Sequence, residues 1–255
     1  MALIDTHAHI YLSDFNKDID EVIKRSKESG VTKIIIPSIA KKNHHAQIEL
    51  SEKYPALVLP LIGLHPTSVK EDYKEELSFV EQELKKNKYY GIGETGIDLY
   101  WDTTFKNFQI NAFEHQLSLS VEYQLPVVIH QRNSLDEIFT VLSNFSSENL
   151  RGIFHCYSGN TEQAEKVIEM GFLLGIGGVL TYKNSNLQEI VKHINLKHIV
   201  LETDAPFLSP VPYRGKRNEP SRIKIIAAHL ANTKGIDISE VENITAENAN
   251  VVFGL

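Results

Sequence analysis

Residues 3–9 read LIDTHAH. A short apolar start runs straight into two histidines, at the place where an open, doubly wound α/β sheet would carry its Gly-rich phosphate loop. That substitution decides between two parallel-sheet architectures. Seven more short apolar runs follow, near Lys33 (KIIIPS), Val58 (VLPLIG), Gly91 (GIGETG), Val127 (VVIH), Gly152 (GIFHC), Phe172 (FLLGIG) and His198 (HIVLETD). Their starts recur about every 28 residues, the size of a strand, a helix and two loops. The stretches between them show helical spacing. Examples are Ile19, Val22 and Ile23; Ile110, Phe113, Leu117 and Val121; Leu135, Ile138, Phe139 and Leu142. Ala164, Val167 and Ile168 repeat the pattern, as do Ile223, Ile226, Ala227 and Leu230. Gly30 and Gly171 stand as C-terminal stops, and Ser239 with Glu242 reads as a capping box. Eight strands alternating with helices predict an α/β protein, a closed (β/α)8 TIM barrel. No Pro/Gly/Ser linker and no repeated motif interrupts it, so residues 1–255 are expected to form a single domain.

Composition narrows the class. The chain has 255 residues, 42% hydrophobic and 23% charged, which excludes disordered and fibrous readings. A chain this long can bury a core without disulfides, and its single Cys cannot form an internal one. The net charge of −7 argues against a general polyanion-coating protein, so any phosphate binding must be local or metal-assisted. No apolar run approaches the ~20 residues of a membrane span. The opening residues MALIDTHAHI lack a signal-peptide pattern, and the expected location is cytoplasmic.

Polar residues gather where the expected strands end. His7 and His9, two apart, share a face. Glu94 follows the fourth run, His130 the fifth, His155 the sixth, and Glu202 and Asp204 the eighth. In a parallel barrel these C-terminal ends converge on one mouth. Imidazole and carboxylate donors suit Mg, Mn, Zn or Co, and four His with two carboxylates suffice for two divalent ions. A bridging carboxylate would hold such ions ~3.5–4 Å apart, and Glu94 is the natural bridge. Asp204 has two candidate roles, ligand and proton acceptor. Glu202 either orients a neighbour from behind or makes an ion pair inside the barrel.

Less specific features surround these. His65 is either a substrate-phosphate contact or a residue that starts a helix. Arg132 is placed to bind an anion. Arg214, Lys216, Arg217, Arg222 and Lys224 form a basic stretch that either holds phosphates or is a solvated loop. Tyr100 and Trp101 either stack on a base or pack a loop. Cys156 alternates away from the site and is expected to be buried. The other histidines, His44, His45, His115, His193, His198 and His229, read as surface or packing residues.

LIDTHAHI, IGLHP, GETGID, PVVIHQR, FHCYSG and LETDAP occur in that order from Ile4 towards the C-terminal ENANVVFGL. Together they resemble the TatD family of metal-dependent deoxyribonucleases, within the amidohydrolase-type TIM barrels. The resemblance covers essentially the whole chain. It implies metal ligands at His7, His9, Glu94, His130, His155 and Asp204, with Glu94 in the place where many barrel amidohydrolases carry a carbamylated lysine. It also implies hydrolysis of DNA phosphodiester bonds by metal-activated water, often as a 3′-to-5′ exonuclease, with Asp204 and Glu94 catalytic.

The expected partner is therefore DNA, as single strands or frayed ends, with a monomeric protein and no membrane. A hydrolase of another ester or amide on the same site, such as an aminoacyl-tRNA deacylase, is the alternative. A non-catalytic metal scaffold is a third reading, and the complete ligand set with Asp204 argues against it.

Overall fold

The structure is a computed structural model describing residues 2–145 and 149–255. Eight parallel strands appear at the eight expected places: β1 Leu3–Asp5, β2 Val31–Ile36, β3 Val58–Pro60, β4 Ile92–Asp98, β5 Val127–Arg132, β6 Gly152–Phe154, β7 Phe172–Ile176 and β8 Ile199–Leu201. Regular ladders join β1-β2-β3 and β4-β5-β6-β7-β8. Two seams complete the ring. A bridge pairs Ile62 with Ile92, and another pairs Ala8 with Ala205. At the second seam Thr6 N–H donates to Leu201 O (3.0 Å) and Asp204 N–H donates to His7 O (2.9 Å). These last strand-end bonds fix His7 and Asp204 against each other. The fold is a TIM barrel.

The helices surround it: α1 Ile19–Glu28, α2 Lys41–Lys53, α3 Tyr73–Lys86, α4 Lys106–Tyr123, α5 Leu135–Ser143, α6 Thr161–Glu169, α7 Leu187–His193, α8 Ile223–Lys234 and α9 Ile238–Phe253. The apolar stripes read from sequence face the core; Val22, Ile23, Phe113, Leu117, Ile138, Val167, Ile226 and Leu230 are all buried. One local expectation fails. The N-cap of α9 is Asp237, whose side chain accepts from Ser239 N–H, rather than Ser239 itself. An aspartate two residues earlier offers a stronger acceptor to the free N–H groups. A true capping box lies instead at Asn160 and Gln163, opening α6.

α9 also closes one end of the barrel. Its Ala246, Ala249, Val252 and Phe253 pack on inward-facing residues from six strands or their extensions, including Ile4, Ile35, Leu61, Val128, Ile153 and Val200. Burying such side chains contributes about 1.5–3 kcal/mol each for the larger ones. The opposite end, where the strands finish, is left open.

Candidate active site

The open end carries the polar residues, and Glu94 is their hub. Its Oε2 lies 3.1 Å from His7 Nε2 and 3.4 Å from His9 Nε2. Its Oε1 lies 2.8 Å from His130 Nδ1, 3.3 Å from His65 Nε2 and 3.7 Å from His155 Nε2. Asp204 Oδ1 faces the same space, 3.8 Å from Nε2 of both His7 and His9 and 4.0 Å from that of His155. All six sequence-expected ligands therefore meet at one point of the barrel, and His65 joins them.

Local backbone explains how. Glu94 lies within β4 rather than at its end, and the ladder to β5 shifts register between Ile92 and Thr95. Such a bulge re-aims a side chain, here towards the barrel axis. Two residues later Gly96 has φ +134°, and a Cβ there would stand 2.1 Å from His130 O. Only glycine lets β4 press that closely on β5 and bring Glu94 to His130. His7 and His9 lie just past the regular end of β1, where the Ala8–Ala205 bridge preserves alternation, so their Nε2 atoms come within 3.2 Å. Asp204 lies past β8 with φ +53° and Cys156 past β6 with φ +45°. Non-glycine residues in this region are strained, and such strain concentrates at functional sites.

A layer of buried polar groups supports the first. Glu202 Oε1 lies 3.0 Å from His155 Nδ1 and accepts from Cys156 N–H at 2.7 Å. A Cβ on Gly175 of β7 would stand 2.4 Å from Glu202 Oε2, so glycine leaves the space this carboxylate fills. Both sequence readings of Glu202 thus describe one contact: an ion pair inside the barrel that orients His155. Cys156 is partly rather than fully buried, and its backbone, not its thiol, serves the site. Asp98 holds His130 Nε2 at 2.9 Å. Tyr11 lies 3.1 Å from His9 Nδ1 and donates to Pro37 O. Asp5 accepts from the hydroxyl and N–H of Thr203 and ties β1 to the stretch before Asp204. Of the two readings of His65, the structure bears out the one that starts a helical turn. Its Nδ1 accepts from Thr67 N–H, starting the 3-10 turn Pro66–Ser68, while its Nε2 faces Glu94.

Asp98, Tyr11 and Asp5 are roles the sequence reading missed, as are three glutamines. Gln47 donates to Ile36 O and Leu61 O, Gln109 accepts from Asp98 N–H, and Gln116 bonds both backbone groups of Leu64. Each is a helix side chain clamping the end of a strand. Gln109 and Gln116, seven apart on α4, share its core face, which was the one available signal.

Electrostatics sort these groups. Burial alone would raise Glu94, but charge on His65, His7 and His155, with the bond to His130, holds its carboxyl well below the usual range. Burial pushes Asp204 up to about 6 against the pull of His155 and His9. Burial would lower His155, yet Glu202 and Glu94 bring it up to about 10. His130 is likewise raised by Asp98 and Glu94, whereas burial and neighbouring His155 drive His7 well down. Burial lifts Asp5 to about 8 despite its bonds to Thr203.

The donor set fits divalent ions. Ligand atoms of His7, His9 and Glu94 lie within 4.8 Å of one another, as do those of His7, His155 and Asp204, and of His65, Glu94 and His130. Two of these trios share Glu94, and such sets of imidazole nitrogen and carboxylate oxygen suit two borderline-to-hard cations.

The cleft above this floor has a volume of about 410 Å³ and is walled by Trp101, Arg132, Phe207 and Leu208 among others. Arg132 is therefore where the sequence reading placed it. Arg214 does not line the cleft; its guanidinium stacks 4.4 Å from the Tyr182 ring. Arg217 is committed elsewhere, in a two-pronged pair with Asp18 (2.8 and 2.7 Å), and Arg222 donates to Ser209 Oγ and Arg217 O. Within the basic stretch, then, Arg217 fastens the loop after β8 to the start of α1, and Arg222 braces the loop itself.

A TIM barrel whose strand ends gather five histidines, a central glutamate and an aspartate at the cleft floor defines the class of metal-dependent barrel hydrolases. The model of a family described as TatD related DNase matches residues 4–254, and the chain belongs to the TatD family. It is 36% identical to a metal-dependent hydrolase of Bacillus subtilis, YabD, over 98% of both chains. The crystal structure of YjjV, a TatD homologue from Escherichia coli, superposes with a TM-score of 0.93 at 28% identity, covering 99% of this chain and 98% of that one. A TatD family hydrolase from Entamoeba histolytica gives 0.83 at 25% identity, with 99% and 98% covered. The protein is a metal-dependent hydrolase. Among the described residues no helix is long and apolar enough to cross a membrane.

Proposed function

We propose that the chain is a divalent-metal-dependent deoxyribonuclease that trims single strands or frayed ends from the 3′ side. The observation that carries this reading is the split of Glu94, one oxygen toward His7 and His9 and the other toward His65, His130 and His155. A carboxylate so shared is what a two-ion phosphodiesterase needs. His7, His9, Glu94, His130, His155 and Asp204 would hold the ions, which when bound polarise phosphoryl oxygens and make water acidic enough to attack at neutral pH.

The residues themselves do the rest. Glu94, kept ionised, fixes the imidazoles around it. Glu202 and Asp98 set the ring orientations of His155 and His130, as supporting carboxylates do for metal-ligating histidines. Asp204 is the carboxylate that opens to the cleft, its side chain 13% exposed against 2% for Glu94. Its Oδ1, on the cleft side, would take a proton from the attacking water and pass it to the leaving 3′-oxygen. Arg132 stands at the cleft wall to meet a non-bridging phosphate oxygen. The cleft holds one or two nucleotides around the scissile bond, a volume that favours attack at an end.

Metal-reconstituted protein should shorten 3′-end-blocked and 5′-labelled single strands differently, giving a ladder only where the 3′ end is free. An aminoacyl ester in a parallel tube should survive. Cleavage of the ester with intact DNA would replace the nuclease reading by a deacylase.

A further inference from the structure

The described residues expose eight large apolar side chains, and six of them, Tyr100, Trp101, Phe207, Leu208, Val211 and Tyr213, lie in just two loops, after β4 and after β8. Trp101 is 69% exposed and Phe207 52%, and both line the cleft above Glu94 and Asp204. Flat rings left in water at such a cost call for a partner that covers them.

These rings are not loose. Asp98, whose Oδ2 holds His130, accepts with its Oδ1 from the N–H groups of Tyr100 (2.9 Å) and Trp101 (3.1 Å). The Arg132 guanidinium stacks 4.1 Å from the Tyr100 ring and 5.5 Å from that of Trp101. Asp102, next in the loop, pairs with Lys70 at 3.0 Å. On the other wall Phe207 N–H donates to Asp204 O at 2.7 Å, in a tight turn, and its ring stands 6.2 Å from His9. One hydrogen bond thus separates each aromatic wall from a member of the site.

We infer that Trp101 and Phe207 are a pair of stacking walls for the unpaired nucleobases flanking the scissile phosphate, with Arg132 backing the first wall, so that substrate is selected by its splayed bases rather than by its backbone charge. This deepens the nuclease reading and rests on it. Three features favour bases over other flat groups. Arg132 gives the Trp101 wall a cation beside a π face, the pairing that single-strand binders use. The acidic protein lines the cleft with one arginine, which is too little charge to hold a polyanion alone. A base-paired end cannot part its bases to enter between two walls, so such walls would admit single strands or frayed termini.

Trp101 is the chain's single tryptophan, so its fluorescence reports this wall directly. Metal-loaded Asp204→Asn protein is titrated with a short oligothymidylate and with an oligomer of the same length lacking bases. The expected result is saturable quenching by the first and little by the second, with the quenching midpoint equal to the Kd from anisotropy of labelled DNA. In active protein, Trp101→Ala and Phe207→Ala should each raise KM for single strands about tenfold more than they lower kcat, with Trp101→Phe recovering most of the loss. DNA cleavage at wild-type KM in both alanine variants, without quenching, would overturn the walls while leaving the nuclease standing. Absence of both DNA cleavage and quenching would remove the nuclease reading and the walls together.

Discussion

The two ends of the barrel are built from the same eight strands under opposite rules. At the closed end Ile4, Ile35, Val128, Ile153 and Val200 cluster with Val252 and Phe253 of α9 in an apolar layer. At the open end, a few residues along the same strands, histidines and carboxylates crowd within 4 Å of one another, one of them, Asp204, on strained backbone. Like charges and desolvated polar groups at the open end cost stability, and burial at the closed end supplies it. In this division of labour the site can be electrostatically unfavourable without its ligands because the fold does not depend on it.

The strongest way to break that comparison is to alter one atom at the open end. Asp204→Asn should lower kcat for DNA cleavage about 10²–10⁴-fold, since the amide cannot take a proton, while the thermal midpoint stays or rises. A fall in the midpoint matching the loss of activity would mean that the aspartate is structural. The reciprocal change is Phe253→Ala, which opens a cavity under the barrel. It should cost about 3–5 kcal/mol in denaturant unfolding and leave kcat/KM at low temperature near wild type. A disabled but stable variant would contradict the separation.

Proton competition sharpens the electrostatic side. Held up to about 10, His155 is protonated at pH 7 in the free site, and His130 is shifted the same way. Ions bind only neutral imidazole, so loading must expel those protons. Apparent metal affinity should therefore rise with pH between 6 and 8, about tenfold per unit for each proton displaced. Calorimetry in two buffers of different ionisation heat measures the release, and a value of zero would deny that these histidines take part.

The smallest effect separates two arginines. Arg132→Ala should flatten the dependence of log Kd on log salt for single strands by about 0.7. Arg217→Ala, which removes the pair with Asp18, the bond to Asp14 O and the stack on Phe15, all away from the cleft, should leave that slope unchanged. A flatter slope in the second variant would return the basic stretch to the substrate.

The barrel was legible because parallel strands buried on both faces write themselves as uninterrupted apolar runs, and eight of them at even spacing leave little choice. The six candidate ligands were legible for a related reason: histidines and carboxylates standing in or just after apolar runs, at the strand ends of a parallel barrel, converge on its mouth. Their support was not. Nothing in the local sequence of Asp98 points to His130, because the contact arises from strand pairing across 32 residues. Gln109 and Gln116 hid within an apolar helix for the same reason. Arg217 misled because a run of cations looks alike whether it meets phosphate or, as here, the aspartate just before α1, almost 200 residues away. Charge type is local information, and charge pairing is not.

The separation of the two ends is tested most directly by one measurement, made with and without chelator on the same sample: single-strand cleavage alongside far-UV circular dichroism through thermal unfolding. The expected result is complete loss of cleavage on chelation with the folded signal intact at room temperature, and full recovery of cleavage on readdition of a divalent metal. Cooperative unfolding on chelation, or cleavage that persists without metal, would contradict it.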